Sequence, residues 1–219
     1  MKPILQHPAL FLVRAWTSVN DFALGIHTQP NGLVSCSIGD PQEPGKGEFS
    51  SNARYWDNLS YVPAGYRSMR RILRLVEPGS DDVFCDIGCG MGGILCVAAR
   101  KPLRKCIGVE LFEPLCEIAR QNGKTLRGRK APIEIMCSDA TTADLSEGTI
   151  FFLFNPFGSQ TLQDTLENIR HSLEDKPRAI RIVYYKPVYK SVVDALDWLV
   201  KLHDFDRFGG HALAIWANR

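Results

Sequence analysis

A chain of 219 residues, 45% of them apolar and 23% charged, suffices for one compact domain with a sizeable core and excludes a second full domain. Its formal net charge of +2 excludes a molecule built as a whole to neutralise a polyanion. Seven cysteines, an odd number without framework spacing, exclude a disulfide scaffold and imply a reducing, cytoplasmic setting.

The first 25 residues interrupt their apolar positions with Gln6, His7, Arg14, Asn20 and Asp21, so neither a signal-peptide core nor a membrane span is expected. Leu10, Val13, Trp16 and Val19 recur at helical spacing, and 28–60 is rich in Gly, Pro, Ser and Asn. Residues 1–60 therefore read as an N-terminal helix and a long loop, a cap or partner contact ahead of a domain spanning 61–219. Met69, Ile72, Leu73 and Val76 predict a helix ended by Pro78 and Gly79.

Val83 to Asp86 is an apolar run ending in an acid, and it breaks into Gly88, Gly90, Gly92 and Gly93. That pattern predicts a strand feeding a nucleotide cradle, with a helix over 94–100 whose first N–H groups favour an anion. Lys105 to Glu110 repeats the strand-then-acid pattern, and an acid at a second strand's tip suits a ribose diol. Gly88, Gly90 and Gly93 also satisfy the spacing of dinucleotide-binding loops, which keeps a nicotinamide enzyme in play. Asp86 weighs against it, because a carboxylate there would face a pyrophosphate, whereas an amino-acid ammonium would welcome it.

A helix from Glu113 to about Asn122 follows, then a basic turn; between Arg100 and Lys130, nine Lys or Arg stand against three Glu and read as solvated helix faces. Ile133 to Cys137 predicts a third strand, ending in Ser138 and Asp139. Thr149 to Phe154 predicts a fourth, running into Asn155, Pro156, Phe157 and Gly158. Leu162, Leu166, Ile169 and Leu173 form a helical stripe; Ala179 to Tyr185 is a fifth strand; Val192 to Leu199 reads as an amphipathic helix. Leu202 to Arg207 and Ala212 to Ala217 flank Phe208-Gly-Gly-His211, which favours an antiparallel pair. Cys85, Cys106 and Cys137 fall in strands expected to be buried. Cys85 and Cys89 offer no zinc site, and no metal ligand set is expected.

Four motifs in register, D-I-G-C-G-M-G (Asp86 to Gly92), G-V-E (Gly108 to Glu110), S-D-A (Ser138 to Ala140) and F-N-P-F-G (Phe154 to Gly158), resemble the class I S-adenosylmethionine-dependent methyltransferases. More narrowly, the chain looks like a poorly assigned bacterial branch with an N-P-F-G motif, and distantly like the non-SET histone lysine methyltransferases. The resemblance implies an α/β fold, a doubly wound Rossmann-like seven-stranded sheet with a C-terminal antiparallel hairpin, and S-adenosylmethionine as cofactor. It implies that Asp86, Gly88, Cys89 and Gly90 hold the methionine end, Glu110 and Leu111 the ribose side, and Asp139 with Ala140 the adenine. Asn155 would border the methyl group and its acceptor.

For catalysis, the Asn155 side chain and the Pro156 or Phe157 carbonyl would accept hydrogen bonds from an amine, with the Phe157 ring stacked beside it. Tyr61, Tyr66, Tyr184, Tyr185 and His211 are secondary candidates. The acceptor implied is a nitrogen on a protein side chain such as lysine or on a small metabolite, with RNA open and no membrane partner. The alternatives are an NAD(P)-dependent oxidoreductase and a non-catalytic methyltransferase-like binding module.

Overall fold

A computed structural model describes residues 21–28 and 65–219. The expectations for Leu10, Val13, Trp16 and Val19, for the loop over 29–60 and for Tyr61 lie outside the described residues. The elements, in chain order, are α1 (Tyr66–Val76), β1 (Val83–Ile87), α2 (Gly93–Ala98), β2 (Lys105–Glu110), α3 (Glu113–Thr125), β3 (Ile133–Cys137), β4 (Ile150–Leu153), α4 (Ser159–Asp175), β5 (Arg181–Tyr185), α5 (Lys190–Asp194), β6 (Leu199–Phe208) and β7 (His211–Asn218). The sheet has seven strands in the order β3-β2-β1-β4-β5-β7-β6. β1 to β5 are mutually parallel, and β7 runs antiparallel to β5 and β6.

β1 is buried along its whole length because it lies mid-sheet with helices on both faces, and so it reads as an unbroken apolar run. Successive side chains still alternate. Phe84 joins the cluster formed with α1 and α2, whereas Val83, Cys85 and Ile87 join the opposite cluster beneath α4. In α1 the expected stripe of Met69, Ile72, Leu73 and Val76 is buried, and the helix closes through a left-handed Glu77 immediately before Pro78. Ser68 Oγ and the Tyr185 hydroxyl both donate to Gly209 O, at 2.7 and 2.9 Å, which docks the β6–β7 turn onto the body.

Three expectations are corrected. Val192 to Leu199 is not one helix: α5 ends at Asp194, and Leu199 opens β6, paired with Asn218 and buried in the lower core. An apolar residue every three or four positions fits a helix turning into a buried strand as well as one longer helix. Cys85 and Cys106 are buried, but Cys137 is exposed, because β3 is an edge strand with only one neighbour. The helix expected from Glu113 to about Asn122 runs on through Gly123, whose would-be Cβ lies 3.4 Å from Ile133, to Thr125. Among the described residues no helix is long and apolar enough to cross a membrane.

Candidate active site

Strand order reverses between β1 and β4, and the crevice outside the carboxyl ends at such a point is where open α/β sheets bind ligands. The glycine loop after β1 and the Asn155 loop after β4 meet there. Gly88, Gly90 and Gly92 all take left-handed backbone, at φ of 72°, 53° and 74°. A Cβ added at Gly88 would lie 2.5 Å from Pro156 Cβ, so the two loops cross where only glycine fits. Gly88 N and Cys89 N both donate to Val109 O, at 2.8 and 3.0 Å, tying the loop to β2. The Cys89 thiol is buried towards Gly108, where an added Cβ would be 2.7 Å from Sγ.

Asp86 is 3% exposed, and among the described residues no hydrogen-bond donor reaches its carboxylate. Burial first, and the neighbouring Glu110 charge second, push its pKa up to about 8. Glu110 is buried but well supplied: Oε2 accepts from Gly90 N at 2.9 Å, and Oε1 from Leu111 N and Phe112 N at 2.9 and 3.1 Å. Burial raises its pKa while those three N–H groups oppose the rise. Two carboxyl groups with different surroundings thus share one crevice.

At the tip of β3, Asp139 Oδ1 accepts from Thr141 N and Oγ1, at 2.9 and 2.8 Å, leaving Oδ2 without a hydrogen bond among the described residues. Asn168 of α4 donates to Ala140 O and Ala143 O, at 3.0 and 2.9 Å, and so fixes this loop from below. Asn155 has left-handed backbone, φ 46°, and its Oδ1 accepts from the Tyr184 hydroxyl at 3.0 Å. Tyr184 is fully buried, and burial pushes its pKa up to about 12, which keeps the phenol a donor.

The Phe157 ring is buried in the core cluster with Leu162 and Leu166, which corrects the expectation that it stacks on an acceptor. The Tyr66 hydroxyl is engaged by Asp21 and Thr28, and that of Tyr185 by Gly209. His211 is exposed at the start of β7, 5.3 Å from the Tyr185 ring and 6.0 Å from that of Phe154. Partial burial and the nearby Lys186 charge lower its pKa.

Sequence reasoning missed the clamp formed by 21–28. Asp21, 4% exposed, accepts from Thr28 N at 2.9 Å and from Thr28 Oγ1. Asn122 Oδ1 accepts from His27 N at 2.6 Å, while its Nδ2 donates to His27 O and to Met91 O, at 2.6 and 2.8 Å. The segment therefore packs against the glycine loop from outside the sheet. One signal was available: Asn122 falls on the same helical face as Leu115 and Ala119, where a polar residue needs partners.

The family model described as "Histone methylation protein DOT1" matches residues 56–135, from ahead of α1 into β3. A protein-lysine N-methyltransferase of Saccharolobus islandicus (strain REY15A) is 32% identical over 106 residues, 46% of this chain, and the match spans 62% of that relative's length. Among solved structures, an RNA methyltransferase from Salinibacter ruber in complex with S-adenosyl-L-homocysteine is similar at TM-score 0.52 and 22% identity, over 71% of this chain and 92% of that one. The putative methyltransferase yhhF from Escherichia coli is similar at TM-score 0.57 and 17% identity, over 73% and 89%. Strand order, the motifs at the carboxyl edge and these likenesses make the fold that of the class I S-adenosylmethionine-dependent methyltransferases.

Proposed function

We propose that this protein transfers a methyl group from S-adenosylmethionine to a nitrogen on a protein side chain, lysine being the acceptor favoured. The observation that carries the cofactor reading is Asp86, a buried carboxyl group that lacks any donor among the described residues and sits at the strand-order reversal. An ammonium is the group such a carboxylate lacks. The donor set fits the rest of the cofactor as well. Glu110 Oε2 takes one backbone N–H and keeps a lone pair for a ribose hydroxyl, with Leu111 beside it, and Asp139 Oδ2 is open to an adenine amino group next to Ala140.

Bound S-adenosylmethionine supplies an already activated methyl group, so the chain's task is to hold donor and acceptor in line. Positioning of that kind contributes roughly 7–11 kcal/mol in favourable systems, without a triad, a paired carboxylate or a metal. In this reading Asn155 Oδ1, held by Tyr184, and the Pro156 or Phe157 carbonyl accept hydrogen bonds from the acceptor amine. Phe154, one residue before Asn155, packs its ring against those of Tyr185 and His211, an aromatic group that tolerates a cation.

The protein-side-chain acceptor draws support from the relative described as a protein-lysine N-methyltransferase and from the matching family model. A metabolite acceptor is the second reading. The free cysteines of the described residues, all but Cys137 buried, agree with a reducing cytoplasmic setting, and residues 1–60 are proposed as a cap or partner contact. The test is transfer of labelled methyl from the cofactor into a fractionated lysate. Label recovered in protein, sensitive to protease and found on lysine after hydrolysis, supports the proposal; label in RNA or in small molecules removes the protein acceptor.

A further inference from the structure

Glu113, at the start of α3, and Cys116, one turn later, share a helix face that abuts Cys137 at the end of β3. The carboxylate and the two sulfurs lie within 4.8 Å of one another. The Cys137 thiol donates to Leu111 O at 3.7 Å and the Cys116 thiol to Glu110 O at 3.4 Å, so both sulfurs are held where β2 turns into α3, beside the Glu113 carboxylate. Arg120 Nη1 holds Glu113 Oε1 at 2.5 Å, orienting the carboxylate and leaving Oε2 for another partner. Cys116 is buried, while Glu113 and Cys137 are exposed, which gives the cluster a closed side and an entry path.

We propose that Glu113, Cys116 and Cys137 form a binding site for one thiophilic divalent cation of the zinc class. Two thiolates and one carboxylate form a donor set that selects zinc-like ions over magnesium or calcium, with the fourth tetrahedral position left to water. Zinc–sulfur bonds of about 2.3 Å set tetrahedral sulfurs about 3.8 Å apart, so closing the site takes adjustments of about 1 Å. Loading exchanges two thiol protons, released to solvent, for the cation, and no electron is transferred. The site lies where β3 pairs with Glu110, yet it stands independently of the cofactor reading, because its readout is the metal's own spectrum.

The test titrates the full chain, kept reduced with a phosphine, with Co²⁺ and then Zn²⁺. The expected result is thiolate-to-cobalt charge-transfer absorption that saturates at one ion per chain, is bleached by zinc and is absent with magnesium. Cys137→Ser alters an exposed position and leaves the core intact; it should abolish most of that absorption and weaken zinc binding by more than the roughly tenfold typical of an outer-shell loss. Glu113→Gln should weaken zinc binding while keeping the sulfur-to-cobalt absorption. No saturable cobalt–thiolate absorption in the wild type, or equal zinc affinity in the wild type and Cys137→Ser, overturns the proposal.

Discussion

The Tyr184 hydroxyl donates to Asn155 Oδ1 across 3.0 Å, joining the tip of β5 to the loop after β4 at the mouth of the crevice. If that bond aims Asn155 at the acceptor, Tyr184→Phe should cost about 1 kcal/mol, roughly a fivefold fall in kcat, with cofactor affinity nearly unchanged. Asn155→Gly is the sharper probe, since glycine keeps the left-handed backbone at φ 46° and removes only the side chain. Its turnover should collapse. Full turnover by Asn155→Gly would show that Asn155 serves the turn alone.

Gly88→Ala should damage both folding and ligand binding. A Cβ there meets Pro156 Cβ at 2.5 Å, and the left-handed backbone adds about 1–2 kcal/mol for a residue with a side chain. The loops must part for the methyl group to fit. Thermal unfolding of the variant should come at a clearly lower temperature, and S-adenosylhomocysteine should bind at least about tenfold more weakly, 1.4 kcal/mol being a factor of ten. Wild-type values on both counts would mean that the loops do not cross as described.

Much of the fold was legible because its signals are local. β1 and β2 each end an apolar run in an acid, and the Phe208 to His211 turn announces the hairpin. The carboxyl groups of the crevice followed from the same runs. What escaped depends on distant partners: Asn122 meets His27 across 95 residues, and Cys137 meets Cys116 only because β3 pairs with β2 beside α3. Phe157 misled because an aromatic ring in a functional loop packs inward as readily as outward, and only the surrounding Leu162 and Leu166 decide it.

Asn122→Ala removes two donations and one acceptance that hold His27 and Met91. The expected loss of stability is about 1–3 kcal/mol, and amide exchange over 21–28 should quicken well beyond that of β1. Exchange that rises uniformly across the chain would instead make Asn122 a general core residue.

Asp86 makes stability fall with rising pH. Its folded pKa is about 8 against an ordinary 3.8, so between those values the native state holds a proton that the unfolded chain has lost. Stability from this group is therefore greatest at low pH, declines as pH rises from about 4 to about 8, and levels off above. Asp86→Asn should flatten that slope. A bound ammonium favours the carboxylate, so ligand binding near pH 7 should release a proton, seen as a buffer-dependent heat in calorimetry. Identical heats in buffers of different ionisation enthalpy would contradict the assignment.

The most direct measurement is calorimetric titration of S-adenosylhomocysteine into the purified chain beside Asp86→Asn and Glu110→Ala. Saturable binding with one ligand per chain is expected. Each substitution should weaken it by roughly 1.5–3 kcal/mol per charge-assisted hydrogen bond lost, about tenfold or more, while circular dichroism stays native. A folded wild-type chain that takes up no ligand, or variants that bind as the wild type does, would contradict the claim that these carboxyl groups grip the cofactor.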